Sequence, residues 1–131
     1  MPQQVLKYAD LTEKIIGSAM KVHRHLGPGF PEVVYQRSLV IELTNSNLLF
    51  VSEQSRDIFY QGNFVGSRRL DLLVEEKVLV ELKAVTEVEP LYFTQVVNYL
   101  RVFELEVGLL LNFGKPSLEF KRFVNSGIQI K

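Results

Sequence analysis

Residues Asp71 to Lys83 read Asp-Leu-Leu-Val-Glu-Glu-Lys-Val-Leu-Val-Glu-Leu-Lys. The pattern predicts an apolar β-hairpin with an Asp on one arm and Glu-x-Lys on the other. Side chains alternate along a strand, so Glu81 and Lys83 share one face and Leu82 takes the opposite one. Three ionisable groups among Val and Leu are costly to bury unless something pairs them. One solution is a divalent cation held by the two carboxylates, with Lys83 beside it. The other is a pair of surface carboxylates at a strand end, neutralised by Lys83 as a plain salt bridge.

Register separates the two faces. Residues directly opposite in an antiparallel hairpin share a face, with Cβ atoms roughly 4.5 to 5.5 Å apart. A three-residue loop, Glu75-Glu76-Lys77, pairs Val74 with Val78 and carries the register on to Asp71 opposite Glu81. A five-residue loop keeps that register. A two- or four-residue loop sends Asp71 to the other face. The cation solution therefore requires an odd loop. No Gly or Asn sits at the tip, so Glu76 or Lys77 is expected to take a left-handed conformation.

The rest of the chain supplies helices for both sides of such a hairpin. Asp10 and Glu13 have capping-box spacing. Leu11, Ile15, Ala19, Val22 and Leu26 follow at helical spacing, and Gly27-Pro28-Gly29 stops that helix. Pro31 suits the first turn of a second helix running to about Thr44. Leu48 to Val51 and Arg56 to Tyr60 read as strands, and Gln61-Gly62-Asn63 as a turn. Two long strands are expected, at Ser67 to Val74 and at Lys77 to Ala84. A third helix, Leu91 to Glu104, precedes short strands at Val107 to Asn112 and Leu118 to Val124. The order is α-α-β-β-β-α-β-β. Tight turns make antiparallel pairs. The strand-helix-strand passage makes Val107 to Asn112 parallel to an earlier strand through a right-handed crossover. Strands around Leu72 and Val80 are apolar on both faces, so the expected fold is α/β (α+β), a mixed central sheet with helices on both faces.

The chain has 131 residues, which favours one domain over residues 1–131. Lys plus Arg and Asp plus Glu are 15 each. That balance argues against strong nonspecific nucleic-acid binding through overall charge, though not against a local basic groove. There is no cysteine, hence no disulfide and no thiolate zinc site, as suits a reducing cytoplasm. No apolar run is long enough for a membrane span, and Met1 to Asp10 has no signal-peptide core. Phe50, Phe59, Phe64 and Phe113 are either core or partly a surface for a homodimer or protein partner.

Four further polar sites stand out. Gln95 and Tyr99 lie on one face of the third helix, with Tyr92, Val96 and Phe103. Gln95 either caps a strand end from the stripe edge or orients a water or a phosphate. Glu32 shares its helical face with Tyr35, Leu39 and Leu43, so it points toward the sheet. It either answers the helix dipole or adds a third carboxylate. Arg68-Arg69 and Lys121-Arg122 are solvated strand edges or phosphate contacts. His23 and His25 diverge by about 200° on their helix and cannot chelate one ion together; one of them is expected to pack on the second helix. Gly-rich phosphate loops and serine nucleophile motifs are absent.

Several strings together resemble a known family. Gly29-Phe30-Pro31-Glu32-Val33-Val34-Tyr35 is Gly-x-x-Glu-x-x-Tyr. With Asp71, Glu81-Leu82-Lys83 and Gln95-Val96-Val97-Asn98-Tyr99, the chain resembles the GxxExxY family of the PD-(D/E)XK nuclease-like superfamily from about Leu11 to Val124. The resemblance implies a restriction-endonuclease-like αβββαβ core. It implies that Asp71 and Glu81 hold Mg²⁺ or Mn²⁺ with the backbone carbonyl of Leu82, and that Glu32 adds a carboxylate. Lys83 would act on the attacking water and the phosphate. Gln95 and Tyr99 would match the Gln-x-x-x-Tyr element of related nucleases; with Tyr99, the Arg69 of the basic pair above is the residue expected to bind substrate. The implied activity is metal-dependent phosphodiester hydrolysis, with nucleic acid, DNA ahead of RNA, as partner. The competing class is a nuclease-fold module that binds nucleic acid or protein without turnover.

Overall fold

A computed structural model describes residues 7–125; the expectations for the first six residues lie outside them. The elements are α1 (Ala9–Leu26), α2 (Glu32–Asn45), β1 (Phe50–Ser52), β2 (Ser55–Tyr60), β3 (Asn63–Arg69), β4 (Leu72–Val74), β5 (Val78–Lys83), α3 (Pro90–Val102), β6 (Val107–Asn112) and β7 (Glu119–Val124). Five strands form one sheet in the order β1-β4-β5-β6-β7, and β2 and β3 form a separate two-stranded sheet. Among the described strands only β5 and β6 are parallel. The α3 crossover imposes that direction, as expected from the strand-helix-strand passage.

The sheet is apolar on both faces because both are covered. Leu72, Val74, Val78, Val80 and Leu82 pack with Ile15, Ala19, Tyr35, Leu39 and Leu43 from α1 and α2. Leu79 and Leu110 pack with Val96, Leu100 and Phe103 beneath α3. Each fully buried Leu or Val contributes about 1.5–3 kcal/mol, so this double-sided core dominates stability. Odd-numbered β5 residues turn toward α3, which is therefore the face of Glu81 and Lys83. Among the described residues, no helix is long and apolar enough to cross a membrane.

Three expectations need correction. The capping box does not form: Tyr8 caps α1 in a left-handed conformation, and Asp10 sits inside the first turn without a side-chain cap bond. Pro31 is the cap of α2 rather than its first helical residue. Of the two histidines, His25 lines a cleft with Ser38, Ile41 and Glu42 of α2, while His23 has Nε2 2.8 Å from the Lys115 carbonyl oxygen and its ring stacked on Phe113. The strand expected over Ser67 to Val74 is two strands in two sheets. Pairing nevertheless continues across the break, where the Glu53 N–H donates to the Asp71 carbonyl and the Leu70 N–H to the Gln54 carbonyl. Together β1 and β2 against β3 and β4 make one long hairpin, bent where Glu53 takes a positive φ of 54°. Asp71 lies at the bend.

The Gly-x-x-Glu-x-x-Tyr string has a structural explanation at both ends. Gly29 has φ 110°, a conformation that side chains rarely adopt. Tyr35 is fully buried and stacked on Phe113 at 4.6 Å. Its hydroxyl donates to the Gly27 carbonyl at 2.6 Å and accepts from the Phe30 N–H at 3.2 Å. The tyrosine thus pins the α1–α2 connection and sets where Glu32 begins α2.

Candidate active site

The β4–β5 loop is Glu75-Glu76-Lys77, with Val74 opposite Val78 and Leu72 opposite Val80. This is the odd register required for the carboxylates to meet. Glu75 and Glu76 both take positive φ, 54° and 56°, so the left-handed residues are Glu75 and Glu76, with Lys77 spared. Beyond Leu72 the ladder gives way to side chains. The Asp71 N–H donates to Glu81 Oε2 at 2.9 Å, and the Leu82 N–H donates to Asp71 Oδ2 at 2.9 Å. Each carboxylate spends one oxygen on a backbone amide and keeps the other. A strand residue's N–H and C=O point to the same side. The Leu82 carbonyl therefore faces the same edge as its N–H, toward Asp71.

The electrostatics set this pair apart from a surface ion pair. Burial, and then the negative charge of Asp71, push the Glu81 carboxyl up to about 9, against the smaller opposing pull of Lys83. Glu32 is also raised, first by burial and then by Asp71, with Lys83 opposing. The residue as a whole is solvent-exposed while its carboxyl end is partly desolvated, so it sits at the rim of the site. A second α2 side chain approaches the same point, with Gln36 Nε2 3.5 Å from the Asp71 carbonyl oxygen.

Helix α3 forms the other wall. Lys83 Nζ lies 4.5 Å from the centre of the Tyr92 ring. The Tyr99 hydroxyl is raised by burial and then by Glu81, with Arg68 opposing. Gln95, exposed, lies between Tyr92 and Tyr99 on that side of the helix, since positions three and four apart are neighbours. The apolar stripe expected to hold Gln95 belongs to Val96 and Leu100, which are the buried residues of α3. Arg69 pairs with Glu53 at 3.6 Å, whereas Arg68 Nε donates to Asn98 Oδ1 at 3.2 Å. The sequence offers Arg68 only within the Arg68-Arg69 pair of candidate phosphate contacts, and Tyr92 only as a neighbour of Gln95 and Tyr99 on one helix face. Strand alternation between Arg68 and Arg69, and the Tyr92–Gln95–Tyr99 spacing, were the available signals. Lys121 lies over the Phe93 and Phe123 rings, on the same sheet face as Glu81 and two strands across from it.

The donor set suits a hard cation. Two carboxylates and a backbone carbonyl converge, and burial disfavours the two carboxylates both carrying uncompensated charge. Mg²⁺ takes one or two carboxylates and keeps several waters. Among the described residues no three His, Cys, Asp or Glu side chains gather as a full ligand cluster.

Comparison with known proteins agrees with this architecture. The family model described as the PD-(D/E)XK nuclease superfamily matches residues 9–123. Among solved structures, SSO0001 superposes with a TM-score of 0.55 at 20% identity, over 70% of this chain and 50% of its own. The present chain thus spans about half the length of that protein. An alkaline exonuclease from Laribacter hongkongensis superposes with a TM-score of 0.52 at 11% identity, over 94% of this chain and 73% of its own. No curated protein sequence matches.

Proposed function

This chain belongs to the PD-(D/E)XK nuclease superfamily, and we propose that it is a metal-dependent nuclease hydrolysing phosphodiester bonds of nucleic acid. The observation that carries the reading is the meeting of Asp71 and Glu81 at the end of an apolar strand, the Asp71 N–H donating to the Glu81 carboxylate and the Leu82 N–H to the Asp71 carboxylate, with Lys83 on the face of Glu81. Asp71, Glu81 and the Leu82 carbonyl would hold Mg²⁺ or Mn²⁺, with Glu32 reaching it through water. When bound, the cation supplies positive charge opposite the phosphate and makes nearby water more acidic. Lys83, held by Tyr92, orients the attacking water and faces the charge that develops on the phosphoryl oxygens. Gln95 and Tyr99 line the approach from α3 and position the phosphate. Placement in the GxxExxY family rests on Gly29, Glu32 and Tyr35 and is part of the same proposal.

The experiment is cleavage by purified protein of single- and double-stranded DNA, RNA and flapped forms at low salt, since phosphate contacts weaken as salt rises. Cleavage with Mg²⁺ or Mn²⁺ that stops on adding EDTA is the expected result. A protein that cuts none of these with either metal, yet binds one of them, would instead be the non-catalytic module.

A further inference from the structure

The fold treats the three arginines of the β2–β3 arm differently. Arg69 pairs with Glu53 at 3.6 Å. Arg56 lies 4.0 Å from Glu104, donates to the Val102 carbonyl at 3.3 Å and covers the Phe103 ring at 5.4 Å. Arg68 has no carboxylate partner among the described residues. Its Nε donates to Asn98 Oδ1 at 3.2 Å and its Nη1 to the Ser67 carbonyl at 3.1 Å. Both acceptors are neutral, so they fix the guanidinium without cancelling its charge. A guanidinium carries five N–H donors, and these two bonds leave three for a ligand.

Position brings that charge to the reaction. Strand alternation puts Arg68 on the face of Leu70, which packs in the core beneath α3. On α3, Tyr92, Gln95 and Tyr99 form one side, and Asn98 adjoins Gln95 at the next position of that spacing. Tyr92 holds Lys83 at 4.5 Å, and Asn98 holds Arg68. The two cations are thus ranged along one side of one helix, with holders about 9 Å apart at 1.5 Å per residue. Electrostatic reach links the groups in order. Lys83 acts on Glu81, and the Tyr99 hydroxyl, raised first by burial, is raised by Glu81 and lowered by Arg68. Along the chain Arg68 precedes Asp71 by three residues, at most about 10 Å of extended backbone.

A site of this composition needs such a cation. Asp71 and Lys83 act in opposite senses on Glu32 and on Glu81, and the chain has no net charge to draw in a polyanion. A metal ion would answer the inner carboxylates and the scissile phosphate. Nucleic acid carries one charge per nucleotide, so the phosphates beside the scissile one need partners of their own. A guanidinium suits them, because two of its N–H groups can donate to one phosphate in parallel.

We infer that Arg68 binds a phosphate of the substrate strand close to the scissile one, across the cleft from Tyr99. At a stacked rise of about 3.4 Å, a separation of about 10 Å puts that phosphate no more than about three nucleotides away. The inference deepens the nuclease reading and rests on it for which phosphate is cut. Within the Arg68-Arg69 pair it assigns the substrate contact to Arg68, since Arg69 is tied to Glu53 on the opposite face of the arm. It also gives the arm a purpose, which is to hold Arg68 against α3, with Arg56 fastened to the turn beyond.

The test is fluorescence anisotropy in EDTA, from about 50 to 200 mM salt, with labelled DNA and RNA oligonucleotides, single-stranded and duplex. On the oligonucleotide that wild type binds best, Arg68→Ala should weaken binding about tenfold. It should also lower the slope of log affinity against log salt by about one, the loss of one phosphate contact. Arg68→Lys should recover the slope but only part of the affinity, because an ammonium lacks the fork. Lys14→Ala, which removes an exposed cation on α1 across the sheet, should keep the wild-type slope. In cleavage assays Arg68→Ala should raise KM and spare kcat, as for a contact made equally in ground and transition states. An unchanged slope in Arg68→Ala would overturn the inference, and with a lowered melting temperature it would make Arg68 a fastener of the arm. An equal slope loss in Lys14→Ala, a fall in kcat with KM unchanged, or no binding of any oligonucleotide by wild type would overturn it too. Because the binding measurement needs no turnover, it separates two failures. Wild type that cleaves nothing while Arg68→Ala lowers the slope keeps the phosphate contact and refutes the nuclease. Wild type that cleaves while Arg68→Ala alters neither slope nor KM keeps the nuclease and refutes the contact.

Discussion

Glu81 is the residue on which the site's energetics turn. Its folded carboxyl is pushed up to about 9 from 4.5, by burial first and by Asp71 second. The folded state therefore binds a proton that the unfolded state releases at lower pH. That stabilisation is fully present below the unfolded value and is lost as pH rises through the folded one. Metal-free protein should show a melting temperature that falls between about pH 5 and pH 9. Glu81→Gln, which keeps the shape and removes the titration, should flatten the slope, and Mg²⁺ at the alkaline end should restore wild type. A slope unchanged in Glu81→Gln would mean that another group carries it. At this scale the sequence showed which residues could meet, because strand alternation and an odd loop fix the face. It did not show that Gln95 is exposed, because Val96, one step round the helix, takes the buried position instead.

Elements hold these residues through a few polar fasteners. Asn112 is buried at the end of β6, in an otherwise apolar strand. Its amide group accepts from the Val85 and Gly114 N–H groups and donates to the Val85 carbonyl and Glu119. These bonds tie the exit of β5, two residues past Lys83, to the β6–β7 loop. Gly114 is required for the approach: an added Cβ would lie 2.3 Å from the Val85 carbonyl oxygen. Gly114→Ala should cost about 1–3 kcal/mol in urea unfolding, since backbone must shift to admit the methyl. A cost under about 0.5 kcal/mol, the level of a neutral surface change, would show that the loop adapts freely. The strand β6 was legible residue for residue, from an apolar run bounded by turn signals. The bend between β3 and β4 was not, because no Gly or Pro marks it. A single left-handed residue, Glu53, turns the opposing strand, and the alternation of β3 and β4 carries no trace of it.

At the scale of the whole molecule, the site sits where the sheet's two coverings meet. The N-terminal end of α2 brings Glu32 from one layer, α3 brings Tyr92, Gln95 and Tyr99 from the other, and the bent hairpin supplies Asp71 between them. The topology followed from element order and tight turns, since a helical crossover between strands leaves little freedom. The separate arm could not be foreseen, because apolar residues in an exposed hairpin read like core residues. Phe113 is fully buried while Phe59 and Phe64 are not. The central claim is that Asp71 and Glu81 bind a catalytic cation while Lys83 acts on water and phosphate. It is tested most directly by measuring Mn²⁺ affinity and cleavage rate together for wild type, Asp71→Ala and Lys83→Ala. Lys83→Ala should bind Mn²⁺ as wild type does and cleave about 10²–10³-fold more slowly, and Asp71→Ala should lose both properties. Lys83→Ala cleaving at the wild-type rate, or Asp71→Ala retaining full Mn²⁺ affinity, would contradict the account.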